Sequence, residues 1–595
     1  MAKSHIGNVF IGSLTAEGCG WRSINVGTST SGGALSTLQA AEVALTRCTF
    51  ADIYSPRSPA VQLLDLRAAA FDTVLDGCTW SNVSGRALVL DRPAGRVLLR
   101  DSAFTGGRGG AALNVFSCVM ATSDVSLRNV SFSDNDNGPN SQGGALVVDK
   151  CEIDVRESLF TGNTATLGGA ATVSGGSTVT FRDSSFIANS ALPTTARDGI
   201  GGAVYGDETA NSLAFDNCTM IANTANGQRP FGGAVAVYGG FLVVKGGSFV
   251  RNAARGNASR GSGGGLFVDR TRTTISGTTF FANAAVYSGG AVHAAFSPLV
   301  MRDSVVLQNS ASVGGGVFLF EADFDLPSAS AFSPPPPPVM VVASPAPPPA
   351  AAASPPPPLG ASPSLPPPSP PPPTERRRLR SLLQADADVP ATVSFPPPAS
   401  PPPPPPPTNP APATVMYTYY SLITNTSFTK NKCTDSMGMG MGGALAAARQ
   451  DGPRWRLGVQ LSTFVGNACP SGGALAAELL DSIHVVRSTF RANRAVNSGG
   501  AISLRPTPSG LVGYALVQEN TFVNNRADNL GGAMQAGQGW SLEVNLNAFT
   551  GNGQSEDVDG GAVYVEYCRN VPGSPPTNPN VFLRINTFER NTART

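Results

Sequence analysis

Apolar and polar residues alternate in short runs along most of the chain. Ile153-Asp-Val155-Arg-Glu-Ser-Leu159-Phe160 alternates with a period of two, and Gly143-Gly144-Ala145-Leu146-Val147-Val148 opens a second short apolar run. A period of two marks strands, whereas an amphipathic helix places apolar residues at i, i+3 and i+4 and carries few glycines. The runs return with a fixed phrase: Phe-x-x-Asn, a few polar residues, then Gly-Gly-Ala. Phe160-Thr-Gly-Asn163 leads to Gly168-Gly169-Ala170, Phe186-Ile-Ala-Asn189 to Gly201-Gly202-Ala203, and Phe490-Arg-Ala-Asn493 to Gly499-Gly500-Ala501. Short strands in a repeat of roughly 25–35 residues predict a solenoid. The expected fold class is all-β: a right-handed parallel β-helix with a disordered proline-rich insertion. The expected hand follows from that of parallel crossovers.

Further copies start at Phe132, Phe249, Phe280, Phe428, Phe464, Phe522, Phe549 and Phe588. Met220 and Val306 replace the Phe in two units, and the units at Phe50, Trp80 and Phe104 are degenerate. Each motif residue has an expected structural task. Phe points inward and stacks on the Phe of the next coil, about 4.8 Å away. Asn adopts left-handed backbone at a corner, and its amide bonds the Asn above and below as a ladder. Gly-Gly supplies positive φ or close backbone approach at the next corner.

Prolines change the organisation. Runs at Pro334–Pro338, Pro370–Pro373 and Pro401–Pro407 fall in one stretch, which reads as extended polyproline II that cannot join a sheet. The coil opened by Gly314-Gly315-Gly316-Val-Phe-Leu-Phe320 finds its next strand only at Ser421-Leu-Ile-Thr-Asn-Thr-Ser427-Phe428. The expected division is therefore a first part of the β-helix at 1–325, with degenerate coils before about residue 100, then a disordered arm at 326–414 inserted within one coil. The helix continues at 415–595 and ends mid-coil. Smaller insertions at the same corner, Arg505–Gly510 and Val571–Pro579, are what exposed loops tolerate. Within the arm, the Arg-rich run Glu375–Gln384 reads as solvated charge or as a cleavage site for a processing protease.

Charge excludes little but points away from polyanions. Lys and Arg number 41 against 40 Asp and Glu, a net +1, so no nucleic-acid partner is expected. No apolar run approaches the roughly 18 residues of a membrane span. The opening residues MAKSHIGNVFIGSL are too broken for a signal peptide. The chain stops at Phe588-Glu-Arg-Asn591, short of the expected Gly-Gly, and so reads as a fragment. Nine cysteines include no Cys-x-x-Cys pair, which with only three histidines argues against a structural zinc site. Cys48-Thr-Phe50 and Cys78-Thr-Trp80 align, so these two thiols are expected one above the other, either bonded or free and buried.

No residue is assigned a catalytic, cofactor-binding or metal-binding role, and no cofactor is expected. Glu556-Asp557-Val-Asp559 and Glu321-Ala-Asp323-Phe-Asp325 read as solvated loops. His293 and His484 fall in or beside strands, and His5 lies near the start. Gly438-Met-Gly440-Met-Gly-Gly443 formally matches a dinucleotide fingerprint but precedes no helix and merges into a repeat corner. Met437, Met439 and Met441 beside Cys433 are the residue types of a soft-metal site, and we read them as ordinary repeat residues.

The Phe-x-x-Asn and Gly-Gly-Ala phrases resemble the repeats of chlamydial polymorphic outer membrane proteins, whose passenger is a right-handed, pectin-lyase-like β-helix. The resemblance covers most of 30–325 and 414–595 and implies surface display and adhesion. The terminal membrane β-barrel of that family has no counterpart here. The Ser-Pro-Pro-Pro-Pro stretches resemble hydroxyproline-rich glycoproteins of plant and green-algal walls. Five Asn-x-Ser/Thr acceptors, Asn82, Asn129, Asn217, Asn257 and Asn425, agree with a secreted glycoprotein. The resemblances imply a non-enzymatic protein located extracellularly, at the cell surface or in the cell wall. Its expected partners are wall or matrix polysaccharide or surface proteins. Two alternatives stand beside it. A polysaccharide lyase or hydrolase of the pectate-lyase-like class would gather Asp, Glu, Arg or Lys on one helix face. An intracellular scaffold would dock SH3- or WW-type domains on its proline arm.

Overall fold

The computed structural model describes residues 13–25, 33–40, 42–56, 58–66, 73–119, 123–209, 211–256, 261–320, 421–434, 440–449, 455–506, 513–553, 559–566 and 581–593. Among them there are only strands, turns and bends. One coil shows the plan. Leu146–Asp149 forms a first strand and Glu152–Arg156 a second, longer one. Leu159–Thr161 carries the motif Phe, and Thr164–Ala165 is a short fourth strand. The chain then passes Gly168-Gly169 into Ala171–Ser174, which pairs in parallel with Leu146–Asp149.

Among the described residues, repetition of this path stacks the strands into four parallel sheets. The glycine sheet has 16 strands, from Leu35–Leu38 to Val563–Val565, and the long-strand sheet has 17, from Ser13–Glu17 to Val581–Arg584. The phenylalanine sheet has 17 strands, from Gly20–Arg22 to Thr587–Glu589, and the short sheet has 10, from Thr164–Ala165 to Arg526–Ala527.

Stacked columns of identical side chains fill the interior. Ring centroids lie 4.8 Å apart for Phe132 and Phe160, 4.6 Å for Phe160 and Phe186, and 4.7 Å for Phe464 and Phe490, with planes within 12°. The aromatic column reaches back through the degenerate units, with Trp21 on Phe50 at 4.7 Å and Trp80 on Phe104 at 4.4 Å. Each buried ring removes enough apolar surface from water to contribute roughly 1.5–3 kcal/mol. Met220 continues the column between Phe186 and Phe249 by strand register.

The asparagines form the second column. Asn163 Nδ2 donates to Asn189 Oδ1 at 3.0 Å and to the Phe132 carbonyl at 3.0 Å, while the Asn163 backbone N–H donates to the same Asn189 Oδ1 at 3.0 Å. Each buried amide is thus satisfied by its two neighbours, which is what makes a polar column tolerable inside an apolar core.

One expectation is corrected. The left-handed residue at this corner is not the Asn but the one before it: Gly162 has φ 65°, Ala188 φ 54° and Gln308 φ 57°. The Asn side chain has to point inward to join the ladder, so the turn falls on its neighbour. The glycine pair divides its tasks as well. Gly168 has φ 62°, and a Cβ on Gly169 would lie 2.2 Å from the Gly202 carbonyl oxygen of the next coil.

Strands on either side of residues 321–420 share the same ladders. Val317–Phe320 pairs with His293's strand in the glycine sheet, and Ser421–Thr424 extends the long-strand sheet with Met301 opposite Ile423. Val306 stands opposite Phe428, and Asn309 Nδ2 donates to Asn431 Oδ1 at 3.0 Å. The proline runs, their expected polyproline conformation and the Arg-rich run lie outside the described residues.

The cysteines settle an alternative left open by the sequence. Cys48 and Cys78 are both free and buried. Disulfides join Cys118 to Cys151 and Cys433 to Cys469, with Cα–Cα distances of 4.9 and 4.8 Å. Both bonds tie equivalent positions on adjacent coils, where the strand spacing falls inside the range a disulfide spans.

Candidate binding face

The interior columns are structural, so chemistry has to be sought on outward positions. Alternation along a long strand turns Val97 and Leu99 inward and Arg96, Leu98 and Arg100 outward. The next three coils keep this phase, and register then stacks Arg100, Arg128, Arg156 and Arg182 in one row. Four like charges at the spacing of neighbouring strands repel one another unless each finds a counter-charge.

Carboxylates from the same and adjacent coils supply it. Arg100 bonds Asp76 at 2.7 Å, and Arg128 meets Glu157 at 3.4 Å. Asp154 lies between two guanidiniums, at 2.5 Å from Arg156 and 3.2 Å from Arg182. These pairs are solvent-exposed and therefore add little to stability.

All of these residues except Asp76 and Arg182 border an open groove of about 670 Å³ on the long-strand face. Arg96, Arg100, Arg128 and Arg156 line it, opposed by Asp101, Asp124, Asp154 and Glu157, so its charges balance. The Asp76 carboxylate bonded to Arg100 holds that guanidinium above its ordinary pKa. At the groove's edge a corner column carries Asp101, Asn129, Glu157 and Asp183, all with positive φ and exposed side chains or partly so.

Glu157 and Asp183 thus occupy matching positions of consecutive coils, an arrangement that the sequence analysis does not single out. The signal was present in Leu99-Arg100-Asp101-Ser102, Val155-Arg156-Glu157-Ser158 and Phe181-Arg182-Asp183-Ser184. It is easily passed over because outward positions follow no apolar rule.

The individually considered residues fall elsewhere. His293 is buried between Phe267 and Phe318, with Nδ1 2.7 Å from Ser288 Oγ, and burial pushes its pKa down to about 3. His484 is also buried, its pKa lowered by desolvation and by Arg456. Met441 packs against Phe318 and Ala446, and Gly442 and Gly443 are ordinary corner glycines. Asp559 bridges to Leu530 in the strand ladder. His5, Met437, Met439, Gly438, Glu321, Asp323, Asp325, Glu556 and Asp557 lie outside the described residues. Among the described residues no group of three or more His, Cys, Asp or Glu is placed to hold a metal ion. No helix there is long and apolar enough to cross a membrane.

Four of the five Asn-x-Ser/Thr acceptors are described, and all four are exposed corner residues. Each donates its amide to an Asp one coil back: Asn82 to Asp52, Asn129 to Asp101, Asn217 to Asp183 and Asn425 to Asp303, at 2.6–2.8 Å.

Residues 33–326 match a family model described as a right handed beta helix region. The fold is a right-handed parallel β-helix. The matched segment contains the whole arginine–carboxylate face, so that face belongs to the β-helix proper. A comparison with curated proteins finds no match.

Proposed function

We propose that this β-helix is a non-enzymatic extracellular or wall-associated protein that contacts carbohydrate through its arginine–carboxylate face. The observation that carries the reading is the row Arg100, Arg128, Arg156 and Arg182 with its interleaved carboxylates. Guanidiniums donate and carboxylates accept, so the face offers both halves of the hydrogen bonding that sugar hydroxyls require. A row repeating about every 4.8 Å suits a polymer better than a single small molecule.

Location rests on different residues. Disulfides persist in oxidising compartments, and two are present. The exposed acceptors Asn82, Asn129, Asn217 and Asn425 suit a glycoprotein, and the likeness to surface-displayed adhesion repeats and hydroxyproline-rich wall proteins points the same way. The disulfides weigh against an intracellular scaffold. The face also gathers the Asp, Glu and Arg that the lyase alternative expects; Asp76 raises the pKa of Arg100, which works against that arginine as the base, and sugar release decides between the two readings.

Retention on insoluble wall polysaccharides tests the reading, with wild type set beside an Arg128→Ala, Arg156→Ala double variant. We expect the wild type to be retained, the variant to bind about tenfold more weakly, and no oligosaccharide to be released. Equal retention of both proteins overturns the assigned face. Failure of the wild type to bind any polysaccharide overturns the reading, and released sugar with unsaturated ends replaces it with a lyase.

A further inference from the structure

Three cysteines share one column at the corner between the long-strand and phenylalanine sheets. Glu17 stands opposite Thr46 and Gly20 opposite Thr49, which places Cys19 against Cys48. Thr46 stands opposite Asp76 and Thr49 opposite Thr79, which places Cys48 against Cys78. All three thiols are free, with Cys48 and Cys78 buried and Cys19 partly exposed. Each buried sulfur leans on the coil before it: Cys48 Sγ lies 3.4 Å from the Ala16 carbonyl oxygen and Cys78 Sγ 3.3 Å from that of Leu45. Burial pushes the Cys48 thiol up and the Cys78 thiol up to about 11, so each attacks through a small thiolate fraction.

The same molecule shows what this stacking permits. Cys118–Cys151 and Cys433–Cys469 are equivalent positions on adjacent coils, and both pairs are bonded at Cα–Cα distances of 4.9 and 4.8 Å. Cys218 is the internal contrast. It occupies the same corner, but its neighbours one coil away are Ser184 and Gly247, so it has no cysteine beside it.

We propose that Cys19, Cys48 and Cys78 form a thiol relay that accepts one disulfide, always with Cys48 as a partner, entering at Cys19 and coming to rest as Cys48–Cys78. The oxidant is a small-molecule disulfide, RS–SR. The Cys19 thiolate attacks one of its sulfurs, forming Cys19–S–S–R and expelling RS⁻. The Cys48 thiolate then attacks the Cys19 sulfur, forming Cys19–Cys48 and expelling the second RS⁻. The Cys78 thiolate attacks Cys48 and releases Cys19 as a thiolate. In sum, two protein thiols are oxidised to one disulfide, RS–SR is reduced to two thiols, and the two protons pass to the released RS⁻ groups.

The order follows from access. Only Cys19 is reached from solvent, and attack needs an approachable sulfur. The resting bond is the buried one because small reductants cannot reach it. With an odd number of thiols, one always remains free to reopen the exchange, so the pair adds an inter-coil tie to the first coils without a permanent cross-link.

The test equilibrates the full chain with oxidised glutathione, quenches by alkylation and maps the peptides by mass spectrometry without reduction. We expect a Cys48–Cys78 cross-link, an alkylated Cys19, and Cys218 alkylated only after unfolding. Cys19→Ser should slow formation of the same cross-link about tenfold. Cys48→Ser should abolish every cross-link in the column, since Cys19 and Cys78 are then two coils or about 9–10 Å apart, beyond disulfide reach. An intact Cys118–Cys151 bond in that variant verifies that its coils still stack. The proposal is overturned if all three thiols stay free in the wild type. It is also overturned by a Cys19–Cys78 bond in the Cys48→Ser protein, or by an unchanged rate in Cys19→Ser.

Discussion

Asn309 and Arg128 are both polar residues stacked in columns, and their environments make them opposites. Asn309 is completely buried, and its ladder crosses from Asn283 to Asn431 with every amide atom bonded. Arg128 stands on the outside with most of its side chain in water, sharing its charge with Glu157. Inside, repetition is compulsory, because a buried donor or acceptor that loses its neighbour keeps its desolvation cost and has nothing in exchange. Outside, water satisfies whatever the neighbouring coil does not. A repeated residue on the outer face therefore needs another explanation, and binding is the one we attach to the arginine row.

The sharpest way to break the contrast is Asn309→Ala. The substitution removes the acceptor for the Asn283 backbone N–H at 2.8 Å and for the Asn283 amide at 3.0 Å, and it takes the side-chain donor away from the carbonyl of Phe280. We expect a loss of about 3–5 kcal/mol from urea denaturation. Hydrogen exchange should rise first in the coils either side of residue 309, because each coil contacts only its neighbours. A loss below about 1 kcal/mol would mean that water enters the column and replaces the ladder.

The same contrast explains what could be read from the sequence. Phe160, Asn163 and Gly168-Gly169 announce the coil because the core demands the same residue each time. Their inward orientation and stacking were legible, and so was the class of fold. The left-handed backbone was assigned to Asn163 and belongs to Gly162, since a motif gives spacing and not which residue bears the turn. The bonded cysteines were passed over although Cys433 and Cys469 each follow the motif Phe by five residues. A variable coil length hides such pairs until positions are counted from the nearest motif. The arginine face was the least legible part. Arg100, Arg128, Arg156 and Arg182 stand 26–28 residues apart in the chain and meet only once the coils between them fold, and no burial rule constrains them.

His293 sharpens the comparison from an intermediate position: it faces outward from the glycine sheet yet is buried between Phe267 and Phe318. Burial keeps its imidazole neutral, with the pKa lowered to about 3, whereas in the unfolded chain it returns to about 6.5. Below pH 6.5 the unfolded chain binds a proton that the folded chain refuses. The stability contributed by this site is therefore complete above pH 6.5 and is lost as the pH falls from 6.5 towards 3. Between those limits the loss is about 1.4 kcal/mol per pH unit. Replacing His293 with Phe leaves Ser288 its bond to Ser262 at 2.9 Å. That variant should match the wild type at pH 7 and exceed it progressively at pH 6, 5 and 4 in urea midpoints. Parallel curves would show that the site opens to water when it protonates.

The smallest expected effect is the most informative about the outer row. Arg128→Ala and Arg156→Ala each remove an exposed ion pair, with Glu157 and Asp154 respectively, and exposed pairs are screened and loosely held. Neither substitution touches the aromatic or asparagine column, so thermal and urea midpoints of the double variant should coincide with those of the wild type. Loss of polysaccharide retention at unchanged stability then separates the outer row from the fold that carries it. If the double variant melts early instead, the carboxylates it leaves uncompensated are repelling one another across adjacent coils. In that case the arginines are on the surface to hold the charged coils together, and any loss of binding follows from the loosened face and not from a missing contact.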